Sequence, residues 1–161
     1  PFGLAKQLSI PQMEARKYID AYFERYAGVK RFMEKATGLA RRTGYARTLL
    51  GRQRPIPDLE STNASVRGFA ERTAINSPIQ GSAADLIKIA MIEIDRKLAQ
   101  VSAEAVMLLQ VHDELLFEVP ENQTAAVAKF VKTKMEQARQ LDVPLLAEVK
   151  VGKNWRDMKS A

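Results

Sequence analysis

The chain has 161 residues, 46% of them hydrophobic, which is enough for one domain or one and a fraction and too apolar for a disordered segment. Twenty-five Lys and Arg stand against nineteen Asp and Glu; the net charge of +6 favours a polyanionic partner or an anionic surface without choosing between them. The absence of cysteine excludes disulfides, thiol catalysis and Cys-ligated zinc and fits a reducing cytoplasm, and no apolar run is long enough to cross a bilayer.

Pro1-Phe2-Gly3-Leu4 carries neither a charged region nor a long apolar stretch, so it does not read as a signal peptide. It also lacks an initiator Met, as expected of a chain processed or cut from something longer. Ser9-Ile10-Pro11 reads as a helix start, with Ser9 or a neighbour capping and Pro11 in the first turn. Tyr18, Tyr22, Phe23 and Tyr26 recur at helical spacing, the pattern of a stripe packed into a core. Gly28 marks a break, and a second helix is expected from about Val29 to Arg42, stopped by Gly44.

Residues 45–56 hold Arg47, Arg52 and Arg54 and no acid, with Gly51 between two short candidate strands, and predict an irregular hairpin. Ser61-Thr62-Asn63 opens another helix. It is expected to weaken at Ser77, because Pro78 disfavours helical geometry in the residue before it. Ser82-Ala83-Ala84-Asp85 resembles a capping box and predicts a new start, followed by an apolar face through Leu86, Ala90, Ile94 and Leu98. Val106–Val111 and Leu115–Val119 read as buried strands around a tight turn at His112-Asp113-Glu114. A helix over 124–139 and a strand alternating through Leu145, Ala147, Val149 and Val151 complete an α+β fold, its antiparallel sheet covered on one face.

Three groups of residues can carry chemistry. Asp113 and Glu114 sit where two apolar strands meet, so their support is rigid, and neighbouring carboxylates repel unless a cation or proton intervenes. Hard carboxylate oxygens suit Mg²⁺, which takes one or two of them and fills its other positions with water and phosphate. An Asp-Glu pair is equally common at a solvated turn, and a lone histidine such as His112 more often makes an ordinary hydrogen bond than a metal bond. Arg72, Asn76 and Gln80 are spaced by four, as donors lining a nucleic-acid groove or as an ordinary solvated face. Arg41, Arg42, Arg47, Arg52 and Arg54 form a basic cluster suited to phosphate contacts or simply to water.

Gln110-Val111-His112-Asp113-Glu114 resembles motif C of the family-A DNA polymerases, whose hairpin carries catalytic carboxylates. Residues Glu71-Arg72-Thr73-Ala74-Ile75-Asn76-Ser77-Pro78-Ile79-Gln80-Gly81-Ser82-Ala83-Ala84-Asp85 are similar to that family's long palm helix. Gly44-Tyr45, Thr48-Leu49, Gly51-Arg52, Gly152-Lys153-Asn154-Trp155 and Phe2-Gly3-Leu4-Ala5 match further segments in family order. The resemblance implies an antiparallel palm sheet with a catalytic hairpin over residues 57–161, preceded by a helical remnant of the fingers over 1–56. It implies template-directed nucleotidyl transfer by two Mg²⁺ ions, replaceable by Mn²⁺, on primer-template DNA and deoxynucleoside triphosphates, in the cytoplasm at the nucleoid and away from membranes. Asp113 and Glu114 become metal-binding catalytic carboxylates; Gln110 and His112 lie near the primer strand. Arg72, Asn76 and Gln80 face the duplex near the primer terminus, and Arg52 joins the DNA contacts. The family's other catalytic aspartate falls before Pro1, so the chain alone is expected to be inactive. Two other readings stand beside this one: a basic duplex-binding module without chemistry, and a metal-dependent nuclease around His112, Asp113 and Glu114 with Glu118 as a further ligand.

Overall fold

Ser9 closes a helix instead of opening one. In the computed structural model, which describes residues 1–160, α1 spans Phe2–Leu8 and Ser9 adopts the left-handed conformation (φ 55°), its N–H returning to the Ala5 carbonyl. Pro11 then precedes α2 (Gln12–Arg25) without any side-chain cap, its fixed φ entering the helix where an N–H would find no partner anyway. The bend expected at Gly28 falls at Tyr26, and α3 (Ala27–Thr43) runs through Gly28 to end at Gly44, whose φ of 77° suits a residue without Cβ.

The chain divides into two compact units, Pro1–Ile79 and Gln80 onward. In the first, the strand pair is as expected: β1 (Tyr45–Arg47) and β2 (Gln53–Pro55) run antiparallel with Ala46 opposite Arg54. Its core is built of small residues, Ala40, Ala46, Ala70 and Ala74 around Ile56 and Leu59. The tyrosine stripe is a correction. Tyr18, Tyr22 and Tyr26 are about half exposed, and Tyr22 packs on its own neighbours Tyr26 (5.0 Å) and Phe23 (5.4 Å). Helical periodicity reports that one face is apolar; it does not report that this chain covers it.

Helix α4 spans Ala64–Val101 without interruption, with Pro78 inside it. Asn63 opens it as expected, its Oδ1 accepting the N–H of Ser65 at 2.9 Å. The predicted break at Ser77 and fresh start at Ser82 do not occur, and Ser82 and Asp85 are buried helix-interior residues. Proline removes one hydrogen bond from a helix, which tertiary contacts can offset.

In the second unit, Ala90, Ile94 and Leu98 of α4 pack against Val127 and Val131 of α5 (Thr124–Glu136), with Leu115 and Phe117 partly buried against them. β3 (Val106–Val111) and β4 (Glu114–Glu118) form an antiparallel hairpin. β3 is not the buried strand that its composition suggests: Val106, Leu108 and Leu109 are each at least 40% exposed. The final strand is shorter than expected, reduced to β5 (Lys150–Val151) pairing with β6 (Lys159–Ser160), because a strand persists only where a partner completes its ladder. There the backbone closes tightly: a Cβ on Gly152 would lie 2.9 Å from Met158 Cα. The α+β class holds, with the antiparallel pairing spread over three two-stranded sheets among the described residues.

Candidate functional site

Asp113 sits on a two-residue turn. Val111 pairs with Glu114, leaving only His112 and Asp113 to reverse the chain, and a turn this tight requires positive φ in its first residue. His112 supplies it at φ 54°, a conformation that costs a non-glycine residue about 1–2 kcal/mol and is tolerated best by short polar side chains. The Gln110 side-chain amide donates to the His112 carbonyl at 2.8 Å, bridging the turn. One residue of β3 bulges out near Leu108, where the pairing shifts from Met107 opposite Phe117 to Leu109 opposite Leu116. A bulge re-phases the side chains beyond it, which is how strands re-aim residues beside functional sites.

Asp113 and Glu114 are exposed, and among the described residues neither carboxylate joins an ion pair. Adjacent acids on a rigid turn, with their oxygens uncommitted, are a donor set that fits a hard divalent cation needing one or two protein carboxylates. No group of three or more metal-ligating side chains occurs among the described residues. Glu118 is not a third ligand for this pair. It lies opposite Val106 at the far end of the hairpin, four strand residues from Glu114, or about 13 Å along the strand. The nuclease reading thereby loses its further acid.

Arg72, Asn76 and Gln80 are all exposed residues of α4, and none of the three side chains makes a hydrogen bond or ion pair among the described residues. The Arg72 guanidinium extends back over Gly68, where a Cβ would sit 3.5 Å from Nη1. Uncommitted donors repeated every four residues are available to an external partner.

The arginine cluster separates into different roles. Arg41 pairs with Glu71 and, at 3.6 Å, with Glu60. The Arg52 backbone closes the β1–β2 loop, its N–H donating to Thr48 Oγ1 and its carbonyl accepting from the Thr48 N–H. Arg54 donates to Ser77 Oγ at 3.3 Å. Arg47 is exposed and unpaired among the described residues. The Arg41–Glu71 and Arg54–Ser77 contacts were invisible in sequence because each joins residues more than twenty positions apart.

No helix of the described residues is long and apolar enough to cross a membrane. The chain resembles DNA polymerase I of Streptococcus pneumoniae (strain TIGR4) at 51% identity over 158 residues, covering 98% of this chain and 18% of that protein. DNA polymerase I of Lactococcus lactis subsp. cremoris (strain MG1363) is 49% identical over the same share of each. The chain thus spans about a fifth of the length of these relatives. Among solved structures it is similar to the POL domain of Pol1 from M. smegmatis in complex with DNA primer-template and dNTP. The TM-score is 0.85 at 47% identity, over 89% of this chain and 25% of that one. The family model of DNA polymerase family A matches residues 1–157, and the chain belongs to that family.

Proposed function

We propose that this chain is the part of a DNA-directed DNA polymerase that supplies one carboxylate pair of the catalytic centre and the contacts to the primer end of the duplex. The single observation that carries the reading is the placement of Asp113 and Glu114 on a two-residue turn, uncommitted, between paired strands. The family-A relatives and a polymerase domain solved with primer-template DNA and dNTP support it.

In this reading Asp113 holds Mg²⁺ directly and Glu114 supports it beside the primer terminus. Bound divalent metals supply charge stabilisation at the primer hydroxyl and at the triphosphate. The chain's own contribution is positional. The short turn keeps the carboxylates from following solvent, and Gln110 braces that turn while His112 and Gln110 lie against the primer strand. Arg72, Asn76 and Gln80 offer donors to the minor groove, where acceptors occupy similar positions in every correct base pair, so they report pairing geometry without reading sequence. Arg47 and Arg52 meet phosphates. Residues 1–56 are the fingers remnant and 57–161 the palm, and the protein works in the cytoplasm at the nucleoid.

Primer extension tests the reading, using the full-length protein beside the 161-residue chain, in Mg²⁺ and in Mn²⁺. The full-length protein is expected to extend and the chain alone to be inactive, because one carboxylate pair cannot fix both metals. Misplacement by about an ångström already costs on the order of 10²-fold. Extension that tracks the isolated chain through purification and vanishes with Asp113→Ala would overturn the half-site account. A full-length protein without template-dependent extension would overturn the function.

A further inference from the structure

Pro78 leaves a weak point in α4. With no N–H, it cannot donate to the Ala74 carbonyl, and the turn just before it carries Asn76, one helical turn beyond Arg72. Ser77, only 6% exposed, occupies this point. Its hydroxyl donates to the Thr73 carbonyl at 2.6 Å, a bond back along the helix that tends to bend it. The same oxygen accepts the Arg54 guanidinium at 3.3 Å, from the β1–β2 hairpin 23 residues earlier in the chain. A hydroxyl has one proton to give and can accept at its lone pairs, so both bonds are satisfied together. Ala46 lies opposite Arg54 in the hairpin and shares a buried cluster with Ala70 and Ala74 of α4, so the strand bearing the guanidinium is itself anchored to this helix.

We propose that Arg54 is a positioning residue: bonded to Ser77, it holds the proline-weakened turn of α4 and thereby the orientation of Arg72 and Asn76 toward the primer-terminal base pair. The proposal rests on the polymerase reading for its consequence and on the structure of the first unit for the tie itself. Arg54 belongs to a cluster whose composition suggests phosphate binding, and the contact gives it a different task. A phosphate contact adds affinity for any duplex, whereas a brace behind minor-groove donors sharpens the distinction between paired and mispaired ends.

The test uses the full-length polymerase containing this chain, as Arg54→Ala, Ser77→Ala and the double variant. Hydrogen exchange over residues 73–79 requires no activity, and it is expected to accelerate about three- to tenfold in Arg54→Ala. Unchanged exchange overturns the tie. The second readout is the ratio of mispaired to paired primer extension. It is expected to rise several-fold in each single variant and no further in the double variant, while the salt dependence of duplex binding keeps its slope. Effects that add in the double variant, with a salt slope shallower by about 0.9 in Arg54→Ala, would make Arg54 a phosphate contact and overturn the proposal. An unchanged ratio in Arg54→Ala overturns its consequence. If the unsubstituted protein extends no primer, the polymerase reading fails, and exchange alone decides the tie.

Discussion

The two hairpins of this chain display side chains of opposite charge on connections of different length. The basic one, β1–β2, connects its strands through the five residues 48–52, closed by hydrogen bonds between Thr48 and Arg52, and is fixed from below by Ala46 and Ile56 in a buried cluster. The acidic one, β3–β4, reverses in two residues and is fixed along β4, where Leu115 and Phe117 pack on the second unit's core. Arginines reach phosphate from many positions, so their support needs to be firm only at the base. In the proposed reading the carboxylates would hold a small, strictly octahedral ion, which calls for placement at the tip itself. In that reading the shorter turn carries the group with the narrower geometric tolerance.

Removing the acid is the most severe way to break the comparison. Asp113→Ala in the full-length protein is expected to lower single-turnover extension on the order of 10³-fold, with duplex affinity nearly retained. Near-normal extension would reject the metal role. Next in size is the anchor of the basic hairpin. Ile56, 4% exposed, should cost about 2–4 kcal/mol of unfolding free energy when cut to Ala, read by urea titration. Leu109→Ala, at 40% exposure on β3, should cost under about 1 kcal/mol, and equal losses would mean that the hairpins are anchored alike. At Gly51, whose φ is 87°, substitution by Ala should destabilise the loop by about 1 kcal/mol. The mildest effect is expected from Arg47→Ala. Duplex affinity should weaken a few-fold, with the slope against log salt falling by about 0.9, and an unchanged slope would remove Arg47 from the phosphate contacts.

What could be read from the sequence was local. The acidic hairpin was legible because two apolar runs and a polar triplet lie within a dozen consecutive residues, and a two-residue reversal is the simplest way to join them. Gly44 as a helix stop and Gly51 between two short strands were legible for the same reason. The continuity of α4 was hidden, since Pro78 argues for a break and the residues that bridge it, Thr73, Ser77 and Arg54, combine a helix hydroxyl with a distant guanidinium. The bulge near Leu108 left no signal, because an uninterrupted apolar run looks the same with or without an extra residue. Tyrosines 18, 22 and 26 misled in the other direction. Their spacing fixes which face is apolar, while burial depends on what else packs there. At the candidate site the turn was readable, whereas the bonds that brace the turn and the helix, from Gln110 and from Arg54, appear only in the fold.

Gly152 shows the same dependence at the scale of a single missing atom. Asp157 and Met158 come so close to its Cα that a methyl group would meet backbone at 2.9–3.0 Å, and backbone, unlike a side chain, has no rotamer by which to yield. A library randomised across residues 150–158 should therefore be sharply uneven after selection for folded protein. Lys153 and Arg156, whose side chains face water, should return almost any amino acid. Position 152 should return glycine alone, a constraint set by empty space instead of by any bond.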